Sequence, residues 1–192
     1  RVAVVGGGNS GLQIAEELAA TRETLLALGS RPPRLPQRIL GRDLFWWLQR
    51  LGVLGKTADS RLAKRMRARG GDLVIGGSHR RLRRAGVQFR PRLVAADGQE
   101  LRFADGSTST VDAVVWATGF RADYPWIDVP GVVEAGSVVH ERGVTPAPGL
   151  SFIGLPWQHT RGSSLLGFVR HDAEWLAAKI VAGAGADRKV AT

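Results

Sequence analysis

The stretch RVAVVGGGNSGLQIAEELA, residues 1–19, changes its periodicity at a run of glycines. VAVV (2–5) is short, apolar and largely β-branched, the pattern of a strand buried on both faces. Beyond the glycines, Leu12, Ala15 and Leu18 or Ala19 recur at helical spacing. TLLALG (24–29) then predicts a second strand. Strand, glycine loop, helix and strand in that order are the opening of a parallel α/β unit.

Gly6, Gly8 and Gly11 form G-x-G-x-x-G between that strand and that helix, the context that turns a weak pattern into a dinucleotide-binding loop. Gly6 serves the tight turn, Gly8 lets backbone approach a pyrophosphate, and Gly11 lets helix and strand pack closely. Backbone N–H groups near Asn9 and Ser10 would meet the phosphates at the positive end of the helix. An NAD site places an acid about 20 residues on, to hold the ribose 2′-hydroxyl. Here Ser30 and Arg31 stand in that place, with Arg34 close behind. An acid repels a 2′-phosphate, whereas a guanidinium pairs with it, so the cofactor expected is NADP(H).

Farther along, SRPPRLPQ (30–37) holds three prolines and is expected to be irregular. RDLFWWLQRLGVL (42–54) reads as a short helix in which Trp46 and Trp47 are packing residues. DSRLAKRMRAR (59–69) reads as a basic helix capped by Asp59 or Ser60. Asp97-Gly98 and Asp105-Gly106, each between extended segments, predict a β-meander, followed by a buried strand at 113–119. GLSFIGL (149–155) reads as a last strand, and a C-terminal helix is expected over 164–182.

The 192 residues are 44% hydrophobic, enough for one domain or two small ones. No apolar run approaches a membrane span. The absence of cysteine removes disulfides, thiolate metal sites and dithiol chemistry, and fits a cytoplasmic location. His79, His140, His159 and His171 lack metal-ligand spacing. The net charge of +10 raises nucleic acid as a partner, but the dense basic runs at 61–69 and 79–84 lack interleaved aromatics, so no specific nucleic acid is expected.

VAVVGGGNSG, GRDLFWW, VDAVVWATGF and PGLSFIGLPWQHTRGSSLLGFVRHDAEWLA together resemble the NADPH-dependent flavin-containing monooxygenases, flavoproteins with two dinucleotide-binding domains. The resemblance implies a fold: a Rossmann-like parallel sheet with a β-meander, plus a C-terminal strand and helix belonging to an FAD-type domain. Residues 1–119 would be the NADP(H)-binding domain, and 120–192 an incomplete segment of the FAD domain. Thr118 and Gly119 would lie near the nucleotides at the domain junction. Gln158, Ser163 and Ser164 would fall in the segment that lies near the flavin or caps the final helix, a cap that Ser163 or Ser164 could supply. The chemistry implied is reduction of FAD by NADPH and oxygenation of a small-molecule substrate by a flavin hydroperoxide; a homo-oligomer is compatible with it. The family's FAD fingerprint and its intervening aromatic–glycine–histidine–tryptophan motif are missing, so the chain is expected to be the second half of such an enzyme. On its own it is expected to bind NADPH weakly and to hold no FAD. The alternative is a freestanding NADP(H)-binding module, or one that complements a partner supplying FAD.

Overall fold

The computed structural model describes residues 1–29, 33–69 and 73–190, with the side chains of Arg69 and of 184–190 outside the description. Strand β1 (Val2–Val5) leads through the glycine loop into helix α1 (Asn9–Ala19), and strand β2 (Thr24–Ala27) follows. Three two-residue strands come next: β3 (Arg34–Leu35), β4 (Arg38–Ile39) and β5 (Arg42–Asp43). Helices α2 (Leu44–Arg50) and α3 (Arg61–Arg69) precede strand β6 (Val74–Ile75) and helix α4 (His79–Arg84). Strands β7 (Gln88–Arg90), β8 (Leu93–Asp97), β9 (Glu100–Phe103), β10 (Thr108–Thr110) and β11 (Ala113–Trp116) run to the end of the α/β region. The hairpin β12 (Val133–Glu134) and β13 (Ser137–Val138) and the helix α5 (Arg170–Val190) lie beyond it.

Two compact units emerge. The first is 1–44 with 71–120, and the second is 45–70 with 121–192. The excursion 45–70 thus groups with 121–192 and not with the residues that flank it in sequence. Hydrogen bonds explain the excursion. Ala58 N–H donates to the His159 carbonyl at 2.8 Å, Gly162 N–H to the Leu54 carbonyl at 3.2 Å, and Thr57 bridges Thr160.

In the first unit a four-stranded parallel sheet has the order β11-β1-β2-β7. Alternation along its central strands feeds two cores. Ala3, Val5, Leu25 and Ala27 face Leu101, Phe103 and Val111 of the meander side. Val4 and Leu26 face Leu12 and Ala15 of α1 and Leu82 of α4. The meander is β10-β9-β8, antiparallel, with the two Asp-Gly pairs at its turns. Gly98 takes φ +53° and Gly106 φ +83°, left-handed values that glycine adopts without strain. Strand β7, from the same extended region, joins the parallel sheet instead. Strand β11 is the sheet's edge, with Trp116 62% exposed, rather than the buried strand expected.

The proline-rich stretch is not wholly irregular. Arg34–Leu35 pairs in parallel with Val74–Ile75, with Val74 N–H donating to the Pro33 carbonyl and Gly76 N–H to the Leu35 carbonyl. Pro33 and Pro36 flank the ladder, so neither proline removes a needed donor, and each favours extended neighbours. The helix expected over 42–54 is shorter, because Arg42–Asp43 pairs with Arg38–Ile39 before α2 begins.

In the second unit Trp46 and Trp47 pack edge to face, ring centroids 4.8 Å apart. Ser60 Oγ accepts from Ala63 N–H at 3.2 Å, capping α3. The expected strand at 149–155 reduces to a single bridge, Val144 to Ser151. Its neighbour, residues 141–144, is itself a tight turn and offers too short a ladder. Helix α5 begins at Arg170, not 164, because Gly162, Leu165 and Phe168 are taken up in successive turns.

Candidate functional site

The chain runs β1, β2, β7, β11, but in space β1 lies between β2 and β11. That reversal is a topological switch point, and crevices for ligands form beyond the carboxyl ends of strands at such points. The glycine loop leaves β1 there. Gly6 N–H donates to the Ala27 carbonyl at 3.0 Å, and Ala117 N–H to the Val5 carbonyl at 2.8 Å.

The three fingerprint glycines meet different surroundings. Gly6 has φ +135°, and a Cβ there would stand 2.1 Å from the Ala117 carbonyl oxygen. A Cβ at Gly11 would stand 2.1 Å from the Gly6 carbonyl oxygen. Both are demanded by the protein's own packing. Gly8 has φ −79°, a value open to any residue, and a Cβ there meets nothing within 4 Å. Neither strain nor packing asks for glycine at this position, whereas close approach of a pyrophosphate to the backbone does. Gly8 is also the N-cap of α1, and no side chain there caps the first N–H groups of the helix, the kind of helix start at which anions bind.

Asn9 contributes otherwise than a free side chain would. Its Nδ2 donates to the Leu73 carbonyl at 3.0 Å, and its Oδ1 accepts from Ile75 N–H at 2.8 Å. The amide thus clips the start of α1 to β6, leaving only the backbone of Asn9 for a phosphate. Ser10 is exposed. Thr118 and Gly119 follow β11 and are exposed; the Thr118 nitrogen lies 3.3 Å from a Cβ at Gly6, so this pair borders the loop. Arg34 sits in β3. Ser30 and Arg31 lie outside the described residues.

The remaining two candidates belong to the second unit. Gln158 is 4% exposed, and its amide is engaged at both ends: Oε1 accepts from Leu155 N–H at 3.1 Å and Nε2 donates to the Arg142 carbonyl at 3.2 Å. Ser164 is exposed and caps no helix, whereas Ser163 is buried, its Oγ accepting from His159 and Thr160 N–H. Sequence reasoning missed the group around them. Arg142 Nε donates to Asp172 Oδ1 at 3.1 Å and its guanidinium covers the Trp175 ring at 4.7 Å. No local pattern joins residues 30 positions apart. His140 Nδ1 accepts from Gly143 N–H at 3.2 Å, and burial pushes the imidazole below its usual range. Among the described residues, no group of three His, Asp or Glu side chains is placed to hold a metal, and no helix is long and apolar enough to cross a membrane.

For a dinucleotide the residues fit: a switch point in the strand order, a helix start with no side-chain cap, and a glycine beside open space. For FAD, the sequence carries one G-x-G-x-x-G only, and Gln158 is already committed within its unit.

The profile of the pyridine nucleotide-disulphide oxidoreductase family matches residues 1–154. The chain is 43% identical over 177 residues to an uncharacterized CzcO-like oxidoreductase of Geobacillus kaustophilus (strain HTA426), covering 91% of this chain and 51% of that protein. It is 26% identical over 164 residues to the flavin-containing monooxygenase FMO GS-OX-like 7 of Arabidopsis thaliana, covering 82% of this chain and 26% of that one. The fold matches a flavin-containing monooxygenase from Stenotrophomonas maltophilia with a TM-score of 0.61 at 24% identity, over 96% of this chain and 50% of that structure. The chain spans about half the length of the CzcO-like relative. It belongs to the pyridine nucleotide-disulphide oxidoreductase family.

Proposed function

We propose that this chain is the NADP(H)-binding portion of a flavin-dependent oxidoreductase of monooxygenase type. The first unit holds NADP(H) at the glycine loop, and the second is a segment of an FAD-type domain. The observation that carries the reading is the contrast at the fingerprint: two glycines required by packing and a third, Gly8, required by nothing in the protein. Backbone N–H groups of the Asn9 to Gly11 turn would hold the pyrophosphate, and Thr118 and Gly119 would border it. Cationic groups beyond β2, Arg31 first among them, would select the 2′-phosphate. When bound, NADPH would supply reducing equivalents to a flavin in the whole protein. The chain's own residues bind and orient the nucleotide.

Gly8→Leu tests the loop. The substitution enters open space at an ordinary φ, so thermal unfolding should stay within a few degrees of the parent. NADPH affinity, read by titration of its fluorescence, should fall at least about tenfold, since the new side chain occupies the pyrophosphate's place. Unchanged affinity in a folded variant would remove the loop as the binding site.

A further inference from the structure

A cation not evident from the glycine fingerprint lies at the tip of the second strand. Strand β7 runs parallel to β2, with Ala27 opposite Arg90, and Leu28 N–H donates to the Arg90 carbonyl at 3.0 Å. Two residues on, Arg92 turns back across this end of the sheet. Its Nη2 donates to the Gly29 carbonyl at 3.1 Å, and its Nε stands 3.6 Å from where a Cβ at Gly29 would be.

The guanidinium is otherwise uncommitted. Of its five donors, one is used in a side-chain hydrogen bond among the described residues, and no carboxylate there pairs with it. The contrast with Arg90 is informative. Arg90 lies close enough to Asp105 to help hold that carboxyl below its usual value, after the larger effect of hydrogen bonds from Ser107. Among the described residues Arg92 has no such partner. Its backbone is nevertheless fixed, for Pro91 precedes it and its carbonyl accepts from Ala104 N–H of the meander at 2.8 Å. An exposed but positioned guanidinium with free donors suits a transient anion rather than a permanent ion pair. No Asp or Glu occurs between Glu23 and Asp43, so nothing in the sequence around the end of β2 opposes negative charge.

We infer that Arg92 is a specificity-determining residue that reads the 2′-phosphate of NADP(H) from the β7 side, through donors left over from its latch on Gly29. The inference rests on the dinucleotide reading of the glycine loop. The phosphate adds close to two negative charges near neutral pH, and a guanidinium answers it with charge-assisted bonds.

The test titrates NADPH and NADH into the full chain and into Arg92→Ala and Arg92→Lys. Arg92→Ala should weaken NADPH about tenfold and leave NADH within about twofold. Arg92→Lys should recover part of the loss, because it keeps charge but not the planar fork. Raising ionic strength should narrow the NADPH:NADH ratio of the parent more than that of Arg92→Ala. If the ratio is unchanged in Arg92→Ala while both cofactors still bind, Arg92 is not a 2′-phosphate reader and the loop reading stands. If both affinities fall together with the melting temperature, Arg92 is only a structural latch on Gly29, and the inference is overturned. If the parent binds neither cofactor, the loop reading fails and this inference with it.

Discussion

At the scale of single residues, the fingerprint separates into two positions where packing demands glycine and one, Gly8, where it does not. Gly6→Ala and Gly11→Ala each drive a methyl to within 2.1 Å of a backbone carbonyl oxygen, and Gly6 adds φ +135°. Each should cost about 2 kcal/mol or more in urea denaturation. Gly8→Ala should cost about 1 kcal/mol or less, the difference between two uncapped N-cap residues. Equal losses at all three would contradict this division. The spacing of these glycines was readable in the sequence because it encodes local geometry: a turn, an approach and a close packing within six residues. The clip made by Asn9 was not, since Leu73 and Ile75 are 64 and 66 positions away and offer backbone, which carries no sequence signal. Arg92 escaped for the same reason, its partner being the Gly29 carbonyl.

Among the elements, those of the parallel sheet follow from local pattern, because each strand and α1 buries apolar residues at its own period. The segments of the second unit do not. GLSFIGL has the composition of a strand but finds only a turn beside it, and α5 starts where the turns after Ser163 stop. Helix α5 is secured by Asp172 in its first turn, a nearly buried carboxylate answered by Arg142. Asp172→Ala should destabilise the second unit by about 3 kcal/mol, since a partly buried guanidinium loses its counter-charge. Pairing it with Arg142→Met should cost less than the sum of the two single changes. Denaturant midpoints of the four proteins measure this, and strict additivity would show that the pair does not couple.

For the whole molecule, the excursion of 45–70 was hidden because its partners, Leu54 with Gly162 and Ala58 with His159, are more than 100 positions apart. Stability of the whole chain should depend on pH through His140. Its folded-state pKa is lowered by burial, so the unfolded chain takes up the proton first as pH falls. Stability is therefore fully present above about 6.5 and is lost as pH drops below it. Protonation at Nδ1 would also end the bond from Gly143. Glu141 and Lys179 line the same cavity as His140. Asp105, also lowered, adds its loss only as pH falls below 3.8. Denaturation midpoints at pH 7.5 and 5.5 should drop in the parent and change less in His140→Gln; an identical drop would assign the effect elsewhere. The sheet order also sets a schedule. Val2 pairs with Thr24, which is soon made, and with Ala113, which is not. During synthesis β1 waits with one side open, and Gly6 has no Ala117 to rest against until 111 further residues have emerged. The glycine loop is thus finished by one of the last residues of its unit, so its final shape arrives late and marks completion of that unit.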